Sequence, residues 1–556
     1  MGLDDTILRR LFSRMADLGF EAGELSPESH SILTAVAGEL AEMEKQASSL
    51  QERDDDAFLD GAAPDANSPA AGLVNLHFQV RSLTQITPDT TAWLNTPAPG
   101  EPNQRIETQF SVARFGTALP LGIKPANNHD KPVYRLTPQR GDLATVDGVD
   151  YLPLFVRCAD IRRQLAAVES MLHPATRIVA LAISATGRQV GEATLGAEAI
   201  GLAPQELLFR PIRRSWSGAM LVRQFFCHPG TLAYVALKGL APLTRPGNAS
   251  IEIRMEGPAV SHLLGHGVEL LANCVPAVNG LRNTTEIEVD HTTTAIALPT
   301  EPGYCTTAIE GIEWFGKDRR WQPVMPLLAS QYLPEGNASR VSYGLERTIK
   351  ASGWNLDLIL FDRERGERLT SRLKVHVATR QICPELPGNL MGSVLQSTAD
   401  ARVTIIDEAS APQFPGAPGL GLKRYLGLSN PLQQSDPATA AASLRSWLSA
   451  LAGDLLPVAP SHRLVHARLR DWRVRLASSP TLLSVNSCSD GLIASLCLDD
   501  TPLKSDLERE PLGLFAGVLA HFLSWQTDGR PIRVTVTTSS GATWGFPNLY
   551  QGEVCS

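Results

Sequence analysis

The 556-residue chain lacks any run of about 18 consecutive apolar residues, the length a helix needs to span a bilayer. Its opening "MGLDDTILRRLFSRMADLGF" sets charges among the apolar positions, so it also lacks the uninterrupted apolar core of a secretory signal. Both absences lead to the expectation of a cytoplasmic protein with no direct membrane insertion. Cysteine is sparse, at eight residues with no Cys-x-x-Cys spacing, which fits reduced thiols rather than a disulfide framework. Without export, the sequons headed by Asn248, Asn283 and Asn337 carry no meaning. Basic charge is in deficit, with 50 Lys and Arg against 58 Asp and Glu, a formal net charge of −8. Phosphate attraction needs a basic surface, so a general nucleic-acid binder is not expected.

Catalytic signatures are missing too. There is no Gly-x-Ser-x-Gly. "GIEWFGKD" at 311–318 has the glycines and lysine of a phosphate loop, but Asp318 stands where a Ser or Thr would ligate magnesium, and Glu313, Trp314 and Phe315 obstruct the cradle. "GLGLKRYLG" at 419–427 lacks the third glycine of a dinucleotide loop at its required place. Histidines recur at helical i, i+4 spacing twice, His262 with His266 and His462 with His466. The metalloprotease glutamate position holds Leu263 in one and Arg463 in the other, so no metal is expected. The stretch "NCVPAVNGLRNTTEIEVDH" at 273–291 gathers a cysteine, asparagines, an aspartate and a histidine. Its strand-like alternation puts Ile287, Val289 and His291 on one face and Glu286, Glu288 and Asp290 on the other, so the last acid and base point apart. Cys274 is followed by Pro276, with no helix start to lower its pKa, so a packed thiol at a turn is expected, with Asn273 and Asn279 satisfying backbone groups nearby. The competing reading is a cytoplasmic hydrolase working through this thiol or through a metal on the histidine pairs.

What is present is the pattern of a large, multidomain, mainly β protein of the α+β class. At about 150 residues per domain the length predicts roughly three to five domains. Ile7, Leu8, Leu11, Phe12, Met15 and Leu18 predict one amphipathic helix, and Ile32, Val36, Leu40, Met43 and Leu50, after Ser26 and Pro27 as cap and first position, predict a second. Such a pair must dock on the body or on a partner. "QERDDDAFLDGAAPDANSPAAG" at 51–72 reads as a linker and as a candidate mobile junction. Short β-branched runs follow, such as "HFQVRSL", "RIVALAISATG" and "SIEIRME". "WNLDLILFD", then "RERGE", then the alternating Leu373, Val375 and Val377 predict a hairpin. "AAASLRSWLSALAGDL" predicts a helix, as do Leu512, Phe515, Leu519 and Phe522, before the strand "IRVTVTT". The expected segments are a helical region 1–60, a linker 61–72, β-rich domains 73–168, 169–300 and 301–430, and an α+β domain 431–556.

Two stretches mix arginine with aromatics, an interface signature as well as an ordinary core or surface pattern. One holds Trp216, Phe225 and Phe226; the other, "HRLVHARLRDWRVRL", holds Arg470 and Trp472. The second could also suit single-stranded nucleic acid, against which the net charge counts.

The first stretch resembles the TssF (VasA, ImpG) family of type VI secretion baseplate proteins, through Gly218, Leu221, Gln224, Phe225, Phe226, Pro229, Gly239 and Leu240. Asn273, Cys274, Pro276, Asn279, Asp290 and His291 match the family's next run, and "SYGLERTIKASGWNLDLILFD", "RQICPELP", "GLIASLCLDD", "GLFAGVLAHFLSWQ" and "IRVTVTT" follow in the same order. Cys383-Pro384-Glu385-Leu386-Pro387 shortens the family's version, and the first 165 or so residues lack its aromatic opening, which marks a divergent member. The resemblance implies a non-enzymatic wedge subunit of a contractile injection machine, without cofactors and docked at the inner membrane complex. It also implies a TssG-like wedge partner, a second copy of the chain, a TssK-like adaptor, a VgrG-like spike hub, and TssE with the sheath. Trp216, Phe225, Phe226, Asn273, Pro276, Asn279, Arg470 and Trp472 are the candidate interface or motif residues.

Overall fold

The structure is a computed structural model that describes residues 34–41, 72–98, 101–126, 132–139, 143–203, 206–208, 217–257, 267–289, 295–298, 304–315, 319–326, 341–350, 353–362, 371–381, 391–407, 430–434, 436–452, 468–477, 491–499, 512–527, 531–538 and 541–546, with 31, 43, 141 and 428. It is mainly β, with several sheets and a few helices, as the sequence predicts.

Six strands close a barrel in the order Leu73–Gln79, Cys274–Asn279, Glu101–Val112, Thr91–Ala98, Val394–Ser397 and Arg402–Ile405, which pairs back to the first. Its interior is filled by Val74, Leu76, Phe78, Phe110, Val275, Ala277 and Val403. The barrel thus draws strands from all three stretches expected as separate β-rich domains. Beside it lies an eight-stranded sheet running from Glu269–Ala272 at one edge to Leu121–Ala126 at the other. The chain passes from the first of these edges straight into the barrel strand Cys274–Asn279, so one residue, Asn273, joins the two bodies.

Two four-stranded sheets face each other around Ile309, Ile312, Trp314, Tyr343, Leu358, Leu373, Val375 and Val377. The expected hairpin is absent here. Gly353–Asp362 pairs with Val341–Lys350, whereas Ser371–Gln381 pairs with Leu281–Val289 and Tyr304–Phe315 in the opposing sheet. Each strand keeps the face that its alternation predicts, with Leu373, Val375 and Val377 buried, but takes another neighbour.

The C-terminal sheet runs Arg468–Ala477, Gly491–Asp499, Ile532–Thr538 and Thr543–Phe546. Gly491–Asp499 and Ile532–Thr538 are parallel and need a crossover, which the apolar helix Leu512–Trp525 supplies. That helix packs on Ser217–Cys227, which also meets Pro437–Ala452, so a helical layer fuses the C-terminal module to the eight-stranded sheet in one continuous core. A further helix, Ile161–Leu172, contributes Leu165, Val168 and Met171 to that core. This helix stands where the sequence pattern predicts β structure, although those residues recur every third position.

In the N-terminal region, helical residues 34–41 bury Ala37 and Ala41 and leave the expected apolar stripe outward: Val36 is 43% exposed, Leu40 39% and Met43 63%. Among the described residues, no helix is long and apolar enough to cross a membrane.

Candidate functional site

Gly218, Gln224, Phe225, Phe226 and Asn273, from the matched motifs, lie at internal joints of this fold. Gly218 sits where the helices Ser217–Cys227 and Leu512–Trp525 cross. A Cβ there would come within 2.9 Å of the Trp525 Cβ and 3.0 Å of the Phe522 Cα. Phe225 and Phe226 are 0% and 2% exposed, and the Phe225 ring stacks on Phe515 with centroids 5.4 Å apart. Their faces are spent on the chain's own core, so they offer no surface to a partner. Gln224 is buried, accepting from the Leu208 amide at 3.1 Å and donating to the Thr231 hydroxyl at 2.9 Å. Gly239 adopts φ +99° as the strand Tyr234–Lys238 ends, a conformation that favours glycine.

Asn273 also takes a left-handed conformation, with φ +62°. This turn lets the chain leave the sheet for the barrel. Its side chain then imitates a backbone peptide group: Oδ1 accepts from the Leu119 amide at 2.7 Å, and Nδ2 donates to the Leu119 carbonyl at 2.7 Å and the Leu121 carbonyl at 3.5 Å. Its own carbonyl accepts from the barrel's Phe78 amide at 2.9 Å. The residue therefore stitches the two far edges of the eight-stranded sheet together and ties both to the barrel. The backbone groups it satisfies belong to Leu119, 154 residues away and just before the strand Leu121–Ala126, rather than to the local turn. Asn279 donates to the Gln109 carbonyl at 3.4 Å, and Pro276 is buried in the same barrel strand.

Cys274 is buried, and its thiol donates to the Ala272 carbonyl at 3.3 Å. Burial first, then the Asp407 charge, pushes its pKa well above the usual thiol range, against a weaker pull from Arg157. A thiol held protonated is not an activated nucleophile. Asp290 and His291, like both histidine pairs, lie outside the described residues. Among the described residues, no group of three or more His, Cys, Asp or Glu is placed to hold a metal ion. The phosphate-loop lookalike begins inside the extended strand Tyr304–Phe315, where Trp314 is buried and donates to Gln322 at 3.1 Å.

A second polar cluster, which the sequence pattern does not predict, crosses the same joint. Asn75, on the barrel strand Leu73–Gln79, uses all four of its polar groups. Its amide donates to Asp407 Oδ1 at 2.9 Å, Nδ2 donates to Asp407 Oδ2, its carbonyl accepts from the Ile406 amide at 3.1 Å, and Oδ1 accepts from the Tyr234 hydroxyl at 2.5 Å. The Arg114 guanidinium lies over the Tyr234 ring, 4.2 Å from its centroid, and Nη1 reaches the Thr231 carbonyl at 3.5 Å. Burial lowers the Arg114 pKa, raises that of Tyr234 well above the phenol range, and brings Asp407 up to about 6. Nothing in the local sequence pattern marks these four residues, because they meet from four distant places in the chain.

Of the remaining candidates, Trp216 lies outside the described residues. Arg470 and Trp472 belong to the strand Arg468–Ala477, which pairs with Gly491–Asp499 and forms one edge of the C-terminal sheet.

The likeness to solved structures covers nearly the whole chain. One is a chain of the type VI secretion system TssK-TssF-TssG baseplate subcomplex, revealed by cryo-electron microscopy. It aligns at a TM-score of 0.69 and 15% identity, over 94% of this chain and 98% of that one. A chain of the baseplate complex from the type VI secretion system aligns at 0.51 and 14% identity, over 99% of both. No curated protein matches. At such identities the likeness establishes the fold, and a signature composed of internal joints is what a shared fold would preserve. The family model for TssF of the type VI secretion system matches residues 119–425, more than half of the chain and the region that includes Gly218, Phe225 and Asn273, and the chain accordingly belongs to the TssF family.

Proposed function

We propose that this chain is a non-catalytic wedge subunit of a type VI secretion baseplate, pairing with a TssG-like subunit and meeting a TssK-like adaptor. Membership of the TssF family carries this reading. Its fold is also shared, end to end, with a chain of a TssK-TssF-TssG subcomplex. The chemistry of the chain supports a structural role, since the one conspicuous thiol is buried and protonated and the motif residues hold the molecule together. A second copy of the chain, a VgrG-like hub, and TssE with the sheath complete the proposed surroundings, with the assembly docked at the inner membrane complex.

The outward stripe of Val36, Leu40 and Met43 is the proposed contact for the wedge partner, because three large apolar side chains on one helical face gain from being covered. The edge strand with Arg470 and Trp472 is a second proposed contact. The test is a tagged pull-down at moderate salt, with the mass of the complex measured. Co-purification of a TssG-like chain in a fixed ratio supports the assignment. The double variant Val36→Asp, Leu40→Asp is expected to stay folded and to lose that chain. A wild-type protein that purifies as a lone monomer overturns the assembly reading, and undiminished binding by the double variant overturns the proposed contact.

A further inference from the structure

The cluster around Asn75 is an oriented chain of groups rather than a set of separate bonds. It runs from a buried cation, Arg114, over the Tyr234 ring, through the Tyr234 hydroxyl to the Asn75 amide, and on to the Asp407 carboxylate. Each step points negative ends toward Arg114 and positive ends toward Asp407, so the two buried charges compensate one another through two neutral groups. The chain of groups also has a mechanical position. Asp407 lies two residues beyond the barrel strand Arg402–Ile405. Asn75 is in the barrel, Tyr234 in the eight-stranded sheet, and Arg114 in the turn after the barrel strand Glu101–Val112.

We propose that Asp407, Asn75, Tyr234 and Arg114 form a proton-sensitive clasp that sets how firmly the chain leaving the barrel is held against the barrel and the eight-stranded sheet.

With the carboxylate ionised, Asn75 Nδ2 donates to it and Tyr234 donates to Asn75 Oδ1. A proton on Asp407 Oδ2 reverses the direction. The carboxyl O–H then donates to the amide oxygen, which requires the Asn75 amide to turn over and present Nδ2 to the Tyr234 oxygen. Burial disfavours the ionised form more than these hydrogen bonds favour it, which leaves the carboxyl near 6 against a usual value of 3.8. A group whose folded pKa is raised contributes stability that is complete below its unfolded value and is lost as pH rises through the folded one. The clasp is therefore tightest when protonated and loosens between about pH 4 and pH 6. Other ionisable groups stand around it: Cys274 on the neighbouring barrel strand, Tyr234, and Tyr151 near Arg114 are raised by burial, Arg157 and Glu206 add charges beside Asp407 and Arg114, and His77 on the Asn75 strand is lowered by burial, so that its own contribution runs with pH in the opposite sense to that of Asp407.

Hydrogen exchange on the full-length protein tests this, corrected for intrinsic rates and followed by mass spectrometry for peptides spanning 72–80 and 400–408. Local protection should fall about tenfold from pH 5 to pH 8, as a carboxyl moving from 3.8 to about 6 requires. Asp407→Asn should abolish that dependence. Tyr234→Phe should keep it and move its midpoint upward, because it removes a bond that supports the ionised arrangement. Protection that is flat with pH in the wild type, or an unchanged slope in Asp407→Asn, overturns the proposal. If Asp407→Asn fails to fold, an unshifted midpoint in Tyr234→Phe does so instead. None of these outcomes depends on a baseplate partner.

Discussion

Replacing Asn273 by alanine isolates the joint on which barrel and sheet depend. Alanine removes two short hydrogen bonds to the Leu119 backbone, at 2.7 Å each, worth about 1 kcal/mol apiece. The Leu119 carbonyl keeps another donor, the Leu121 amide at 2.7 Å, but the Leu119 amide is left buried without its acceptor, a further cost of about 1–3 kcal/mol. An alanine held at φ +62° adds about 1–2 kcal/mol of backbone strain. The sum is about 4–7 kcal/mol, enough to open the sheet edges of a marginally stable body. Glycine loses the same hydrogen bonds but not the backbone strain, so Asn273→Gly should be the milder change by about 1 kcal/mol. Urea unfolding monitored at the barrel and sheet peptides by hydrogen exchange gives both values without assuming that the whole chain unfolds in one step. An alanine variant within about 1 kcal/mol of wild type would refute the peptide-mimic role, given the cost of an orphaned amide. An alanine variant more stable than the glycine variant would refute the strain argument.

At the helical joint, Gly218→Val should push Ser217–Cys227 away from Leu512–Trp525 and cost about 1–3 kcal/mol, read as lost exchange protection in both helices while the two facing four-stranded sheets stay unchanged. For the thiol, Cys274 should resist alkylation at pH 8 in the native protein and react promptly once unfolded, because burial keeps it protonated. Prompt native labelling would contradict the buried geometry. Cys274→Ala should leave the fold and any assembly intact, and a hydrolase activity lost on that change would reinstate the catalytic reading.

The periodicities of the sequence correctly gave the faces of its elements. Alternation put Glu286 and Glu288 outward from Val289, and Leu373, Val375 and Val377 inward, where the structure has them. The spacing of Leu512, Phe515, Leu519 and Phe522 marked a real helix, and "IRVTVTT" is a strand from end to end. A period of 2 or 3.6 is a property of a few neighbouring residues and survives whatever they pack against. Partners are a different matter. The strand Gly353–Asp362 has the right face but joins the sheet opposite its expected mate, and Val36, Leu40 and Met43 form the expected stripe yet stay uncovered. Asn273 satisfies a backbone 154 residues away, and the Arg114, Tyr234, Asn75 and Asp407 chain assembles from four separate regions. Which strand closes the barrel, and which polar groups are left to pair where the barrel meets the sheet, depends on contacts between distant segments formed only when the chain is folded. Local pattern therefore determined what each element is, and the tertiary structure alone decided what it touches.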